Sequence, residues 1–447
     1  MKKTCLNILG LIAVLLSLAA CNDFLDIQPV GKVMPHTAQE FRDLLTEAYS
    51  FVPTDRGKTV YRSDELVLNQ ATTTTEGLDS YLDIWRWQDG SEDETTESFN
   101  WRTFYYVSYI ANTVIEQKDA ITEATQEERN QLAGEAYMLR AYMHYILVNL
   151  YAEPYTHCDP ATTKGIPLKL NSDVKAVLSR NTVAEVYASI LSDIDTAEQL
   201  LNVETWGEGE TYRFNKLSTD AFRARVYLYM GNWEQAYEYA KKVVDTHGEL
   251  EDINASNTLP NHYQSVEAIL SLEEVFPVEY QTNGQVNPNL ISLYRSGDMR
   301  RSRFYRAETA SITRVEKGGG NEFRCTFRTA EFYLTAAEAA MELNDMDNAR
   351  HYLTELMKKR YATVMYPRYE AEILAMTREE LRQEIYDERF RELAFEGHRW
   401  FDLRRTTRPE LTKTYNGETY VLQKDDPRYT LRIPPEAIEA NPGLEEE

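Results

Sequence analysis

The usual catalytic signatures are missing from this 447-residue sequence. It contains no His-Glu-x-x-His, no Gly-x-Ser-x-Gly and no Gly-x-x-x-x-Gly-Lys. That removes the common marks of zinc proteases, α/β-hydrolases and phosphate-cradling NTPases. Histidine is scarce, with seven residues, and none has Glu three positions before it, as a di-metal carboxylate bundle needs. Only four cysteines are present, far too few for a disulfide scaffold. Basic residues are outnumbered, 48 Lys and Arg against 72 Asp and Glu, giving a net charge of −24. A surface this acidic repels phosphate backbones, so no nucleic-acid partner is expected. Apolar runs are short too. The longest, Ile8 to Leu18, falls well below the roughly 20 residues of a membrane span.

Helical periodicity and tyrosine are what the sequence has in quantity. Leu132, Ala136, Leu139, Met143, Leu147 and Leu150 step by three or four, as do Val183, Val186, Ile190, Ile194, Ala197 and Leu201. Thr37…Glu40, Thr125…Glu128, Thr182…Glu185 and Thr377…Glu380 fit the capping box that opens a helix. Two segments share a finer pattern, Gly231-Asn232-Trp233…Ala236 and Asn344-Asp345-Met346…Ala349. Gly or Asn suits a left-handed residue closing one helix, and the small Ala lets the next helix pack closely. This is the shape of a tetratricopeptide-like hairpin. The copies lie too far apart for a plain array, so the fold is expected to be mainly α. Hairpins are placed within about 100–245 and 328–405, separated by loop-rich insertions. Those insertions are Tyr49–Trp87, Glu153–Ser179, Thr205–Asn215, His247–Asn261 and Phe276–Thr326. The last is too long for a structureless loop and is expected to hold short elements or function. The stretch Thr407–Glu447 reads as extended and turning.

At the N-terminus, Lys2 and Lys3 precede the apolar run, which ends in Leu18-Ala19-Ala20-Cys21. That is a signal-peptide layout, and its end resembles a bacterial lipobox. Residues 1–20 are then a leader and 21–447 one mature domain carrying lipid on Cys21; ordinary cleavage near Ala20 is the alternative. Acyl chains anchor a protein without a spanning helix, each buried methylene contributing about 0.8 kcal/mol. Export leaves Cys158 and Cys325 in a compartment where a disulfide could persist, and their pairing stays open.

Several blocks are distinctive: Cys21-Asn22-Asp23-Phe24-Leu25-Asp26, Gly134-Glu135-Ala136-Tyr137-Met138-Leu139-Arg140-Ala141 and Arg328-Thr329-Ala330-Glu331-Phe332-Tyr333-Leu334. The most specific runs from Glu388-Arg389-Phe390-Arg391-Glu392 to Gly397-His398-Arg399-Trp400-Phe401-Asp402. Together they resemble the SusD/RagB family of outer-membrane nutrient-binding lipoproteins of the Bacteroidetes. The resemblance implies a SusD-like fold in which tetratricopeptide-like hairpins support a loop-rich binding half. It implies capture of oligosaccharides at the cell surface, with no catalysis, and delivery to a SusC-like TonB-dependent transporter. A peptide- or protein-binding lipoprotein of the same uptake system is the alternative.

Residues for ligand contact follow from sugar chemistry. A pyranose stacks its apolar face on an aromatic ring, while its hydroxyls need amides, carboxylates or guanidinium groups. Trp85 and Trp87 with Arg86, Gln88 and Asp89 supply both, although a tryptophan here could equally anchor the helix expected over Asn100–Lys118. Tyr280, Asn283, Asn287, Tyr294 and Arg295 form a second such group. An arginine groove around Arg295, Arg300, Arg301 and Arg303 would favour peptides or acidic glycans. The acidic cluster Asp89, Glu92, Asp93 and Glu94 has oxygen ligands for Ca²⁺ but lacks EF-hand spacing, and a solvated loop is the expectation, with no cofactor. Glu384, Glu388, Glu392 and Glu396 recur every four residues. They read as a structural ion network, with Arg391 and Arg399 as partners.

Overall fold

The computed structural model describes residues 35–68, 73–88 and 96–444. Cys21 and the cluster from Asp89 to Glu94 lie outside them. Helices dominate. In chain order the longer ones are α1 Ala38–Ser50, α2 Thr75–Trp85, α3 Arg102–Gln117, α4 Gln126–Tyr151, α5 Val183–Leu200, α6 Lys216–Met230 and α7 Trp233–His247. They continue with α8 Thr329–Glu342, α9 Met346–Lys358, α10 Tyr366–Ala375, α11 Arg378–Leu393 and α12 Arg399–Arg405. All four capping boxes close. Thr37, Thr125, Thr182 and Thr377 each accept the backbone N–H three residues on, and the Glu at that position reaches back. Each cap contributes on the order of 1 kcal/mol.

The apolar stripe on α4 understates its burial. Packed between α3 and α5, α4 buries residues on every face, including the charged Glu135 and Arg140. Each finds a partner on a neighbouring helix. Arg42 of α1 grips Glu135 at 2.8 and 2.9 Å, and Arg140 grips Asp193 of α5 at 2.6 and 2.8 Å.

Helices α6 and α7 turn on Gly231 (φ +67°), α8 and α9 on Asn344 (φ +63°). Ala236 and Ala349, in equivalent places, are fully buried. Helix α8 packs on α7 as well as on α9, so the two hairpins stack directly despite the long insertion between them. The arrangement is consistent with tetratricopeptide-like hairpins.

The loop-rich half is held by four two-stranded antiparallel pairings: β1 (Leu66–Val67) with β3 (Gln285–Val286), β2 (Ala268–Leu270) with β6 (Phe327–Arg328), β4 (Tyr305–Ala307) with β5 (Thr313–Val315), and β7 (Leu411–Tyr415) with β8 (Glu418–Leu422). The segment from Phe276 to Thr326 does contain its own elements, with short helices at Val278–Thr282, Pro288–Leu293 and Arg300–Arg303 beside β3, β4 and β5. One expectation is corrected and one open question is answered. The stretch Tyr49–Trp87 includes a full helix, α2. Cys158 and Cys325 are free thiols, and burial pushes the Cys325 thiol up to about 12.

Two apolar clusters result. The larger runs through the helices. The smaller gathers Tyr61, Tyr81, Trp85, Phe276, Tyr280, Tyr294, Phe304 and Tyr305 in the loop-rich half. Helix α11 is the seam, giving Leu381, Ile385 and Leu393 to the first and Phe390 to the second.

Candidate functional site

The glutamate stripe lies along that seam. Glu392 meets Arg300, Arg328 and Arg360 at 2.9, 2.7 and 2.8 Å. Glu388 meets Arg300 and Arg391, both at 2.8 Å. Glu384 binds Arg391 at 2.5 Å and also Arg295, while Glu396 binds Arg328 at 2.6 Å and also Lys317. Glu267 and Asp298 complete the group through Arg328, Arg360 and Arg300. Burial alone would raise the Glu392 carboxyl; Arg360, Arg328 and Arg300 overcome it and hold the group well below the ordinary range. Carboxylates so engaged have no free lone pair facing a cleft, and the stripe is a structural network. Arg391 is a partner as expected. Arg399 is not: it pairs with Asp64 at 2.7 Å.

Neither expected aromatic group presents a face to a ligand. Trp85 ends α2 at 0% exposure and Trp87, at φ +60°, is 1% exposed. Because a helix terminus separates them, they part company: Trp85 joins the smaller cluster and Trp87 the larger. The Trp87 indole N–H donates to the Arg62 carbonyl at 2.8 Å. Both tryptophans are core anchors, which corrects the expected Trp platform.

The second group is likewise absorbed by the fold. Tyr280 sits edge-on to Tyr61 and Tyr81, which stack at 4.5 Å. Asn283 is buried and accepts the Thr74 hydroxyl at 3.1 Å. Asn287 caps the helix at Pro288–Leu293 and donates to the Asp64 carbonyl at 2.9 Å. The buried Tyr294 hydroxyl meets Tyr305 at 2.9 Å and the Arg391 carbonyl at 2.7 Å. Arg295 is paired with Glu384. The arginine groove dissolves for the same reason: Arg300 lies inside the network, and Arg303 donates to Asn257 and the Ser256 carbonyl. Of its four members Arg301 alone is exposed without such a bond.

What remains at the surface is Arg86 and Gln88, the first half-buried and the second exposed. They lie at the end of α2, beside residues sequence reasoning missed. The β7–β8 hairpin turns on Asn416-Gly417, both left-handed at φ +53° and +82°. One hairpin face carries Leu411, Lys413, Tyr415, Glu418, Tyr420 and Leu422, as the two-residue alternation of paired strands requires. Leu411 and Leu422 are buried. The Lys413 ammonium is buried too, donating to the carbonyls of Tyr61 (2.7 Å) and Trp85 (3.0 Å), over the Trp87 ring at 4.2 Å. Nearer the turn, Tyr415 and Tyr420 are half-buried and edge-on to Trp85, with centroids at 6.4 and 5.8 Å. The Tyr420 hydroxyl donates to Glu418 at 2.5 Å, and the Arg86 guanidinium also interacts with it. Two partly exposed rings therefore sit against a buried tryptophan, beside the Glu418 carboxylate and the Arg86 guanidinium, which is also paired with Asp83 at 2.5 Å. The signal was present in Asn-Gly flanked by alternating residues, the strongest short hairpin pattern.

Among the described residues no helix is long and apolar enough to cross a membrane, and no group of three or more His, Cys, Asp or Glu is placed to hold a metal. Two family models cover the chain: residues 23–228 match one described as "Starch-binding associating with outer membrane", and residues 204–446 match the SusD family. A SusD-like protein, P25, of Formosa agariphila is 21% identical, with 89% of each chain covered. A SusD superfamily protein from Bacteroides fragilis superposes with a TM-score of 0.78 at 20% identity, over 93% of this chain and 100% of that one. A SusD-like carbohydrate-binding protein from Bacteroides vulgatus gives 0.67 at 20% identity, over 92% and 97%. With one model matching more than half its length, the chain belongs to the SusD/RagB family.

Proposed function

We propose that this chain is a saccharide-capturing lipoprotein of the outer membrane, held by lipid on Cys21, exposed at the cell surface and working with a SusC-like TonB-dependent transporter. The observation that carries the reading is the β7–β8 patch, where the partly exposed Tyr415 and Tyr420 pack edge-on to Trp85 with Arg86 and Glu418 beside Tyr420. Such a surface offers ring stacking and hydroxyl partners together, the two things a pyranose needs. The family description of starch binding at the outer membrane and the carbohydrate-binding relative from Bacteroides vulgatus support it. The role is binding, because the carboxylate stripe that could suggest acid–base chemistry is spent on internal ion pairs. Acidic or peptidic cargo loses its basis as well, since Arg295, Arg300 and Arg303 are engaged within the fold. Affinity electrophoresis through gels containing starch, xylan, mannan, β-glucan or pectin tests this. Retardation in at least one neutral polysaccharide is expected; free migration in all of them, with binding to casein peptides, would contradict it.

A further inference from the structure

A concave surface elsewhere on the chain shares no lining residue with the hairpin patch. The N-terminal ends of α1 and α4 and the loop from α5 to α6 enclose a groove of about 520 Å³, within the range of small-molecule sites, roughly 300–1,000 Å³. Its walls are fixed. The buried Gln131 side chain accepts the backbone N–H groups of Asn202 and Val203 at 3.0 and 3.2 Å and donates to Glu135 at 3.0 Å, tying the loop to α4. Farther along the loop, the Trp206 indole N–H donates to the Phe214 carbonyl at 3.0 Å. The Arg213 guanidinium covers one face of the Trp206 ring, 5.2 Å from its centre, and is itself held by Glu210 at 2.7 Å. The indole is thus locked at half exposure. Around it Gln39, Asn202 and Glu127 are exposed.

Charge narrows the ligand. Arg42 and Arg213 are already neutralised by Glu135 and Glu210, whereas Glu127 is exposed at the rim and Glu128, bound to the Thr125 cap, adds a second negative charge there. An anionic chain meets net repulsion there. The part of the fixed indole that lines the groove, with amides and carboxylates beside it, matches an uncharged polyol. We infer that this groove is a second saccharide subsite, centred on Trp206 and selective for neutral sugars. The inference rests on the saccharide-capture reading but on different residues. Two sites on one chain raise the effective concentration of a long polymer at each, so polysaccharides gain more than short oligosaccharides.

Labelling the six tryptophans with 5-fluorotryptophan makes the site directly visible by ¹⁹F NMR, with Trp206→Phe assigning its resonance. The purified chain is titrated with maltohexaose, cellohexaose, xylohexaose, mannohexaose and laminarihexaose, and with hexagalacturonate as the acidic counterpart. At least one neutral hexasaccharide is expected to move the Trp206 resonance while the acidic one does not. That shift should persist in the Tyr415→Ala/Tyr420→Ala variant. Trp206→Ala should weaken binding at this groove roughly five- to tenfold; Gln39→Ala, at an exposed position, should weaken it less without touching the loop. If every hexasaccharide that binds by calorimetry leaves the Trp206 resonance unmoved, the second subsite is overturned and the hairpin one is spared. A shift with hexagalacturonate overturns the neutral selectivity, and silence at every sugar sinks both readings.

Discussion

Glu392 shows how much rests on single side chains here. Its carboxylate takes three guanidinium groups with no atom exposed to water. Glu392→Gln leaves Arg300, Arg328 and Arg360 short of a counter-charge in a dry site. Breaking a buried pair typically costs about 3–5 kcal/mol, and urea unfolding should show a loss of that order. The sequence shows that these glutamates share one helix face. It cannot show that the face is buried, because Arg300, Arg328 and Arg360 come from distant segments. Glu65 behaves oppositely. Buried, and accepting the Phe395 N–H at 2.6 Å and the Ser63 hydroxyl at 2.8 Å, its carboxyl is pushed up to about 7, chiefly by burial. A folded value raised above the unfolded one contributes stability that is fully present below about pH 4.5 and lost as pH rises through 7. Glu65→Gln should therefore flatten the dependence of Tm on pH between 5 and 8, by up to about 3 kcal/mol of stability across that window. An unchanged slope would mean that Glu65 is ionised in the folded protein. For Glu392, held well below the ordinary range, the sign reverses, and its contribution is lost as pH falls below about 4.5.

At the scale of elements, the helices and the Asn416-Gly417 turn are legible, but the place where the β7–β8 hairpin docks is not. Capping boxes and left-handed turn residues are local, so the starts of α1, α4, α5 and α11 and the turns at Gly231 and Asn344 follow from a few neighbouring residues. Tryptophan burial is not local. Trp85 and Trp87 look like a ligand platform until Lys413, more than 300 positions along the chain, closes over them. That lysine fastens the β7–β8 hairpin to the end of α2. Lys413→Met keeps the volume but leaves the Tyr61 and Trp85 carbonyls without their donor, a cost of about 1–3 kcal/mol for each buried group. Amide hydrogen exchange across Thr412–Val421 should accelerate, and saccharide affinity should fall although Tyr415 and Tyr420 are intact. Protected amides in that variant would show that apolar contacts alone hold the hairpin.

Over the whole molecule, a stack of helical hairpins carries a loop-rich half, and the ion network along α11 joins them: Arg360 and Glu267 enter from the segments flanking the hairpins, Asp298, Arg300 and Lys317 from the insertion. Most large apolar side chains are spent on the two clusters, leaving an acidic exterior on a chain whose net charge is −24. Such an exterior suits uncharged cargo, which meets no long-range repulsion. The claim at the centre of this account is that cargo is held on the Tyr415–Tyr420 patch. Calorimetric titration of the chain and of its Tyr415→Ala/Tyr420→Ala variant, with the oligosaccharide of whichever polysaccharide retards it, measures that directly. The account predicts saturable binding that weakens at least tenfold in a variant with unchanged helical circular dichroism. Equal affinity in both proteins would place the cargo elsewhere and contradict it.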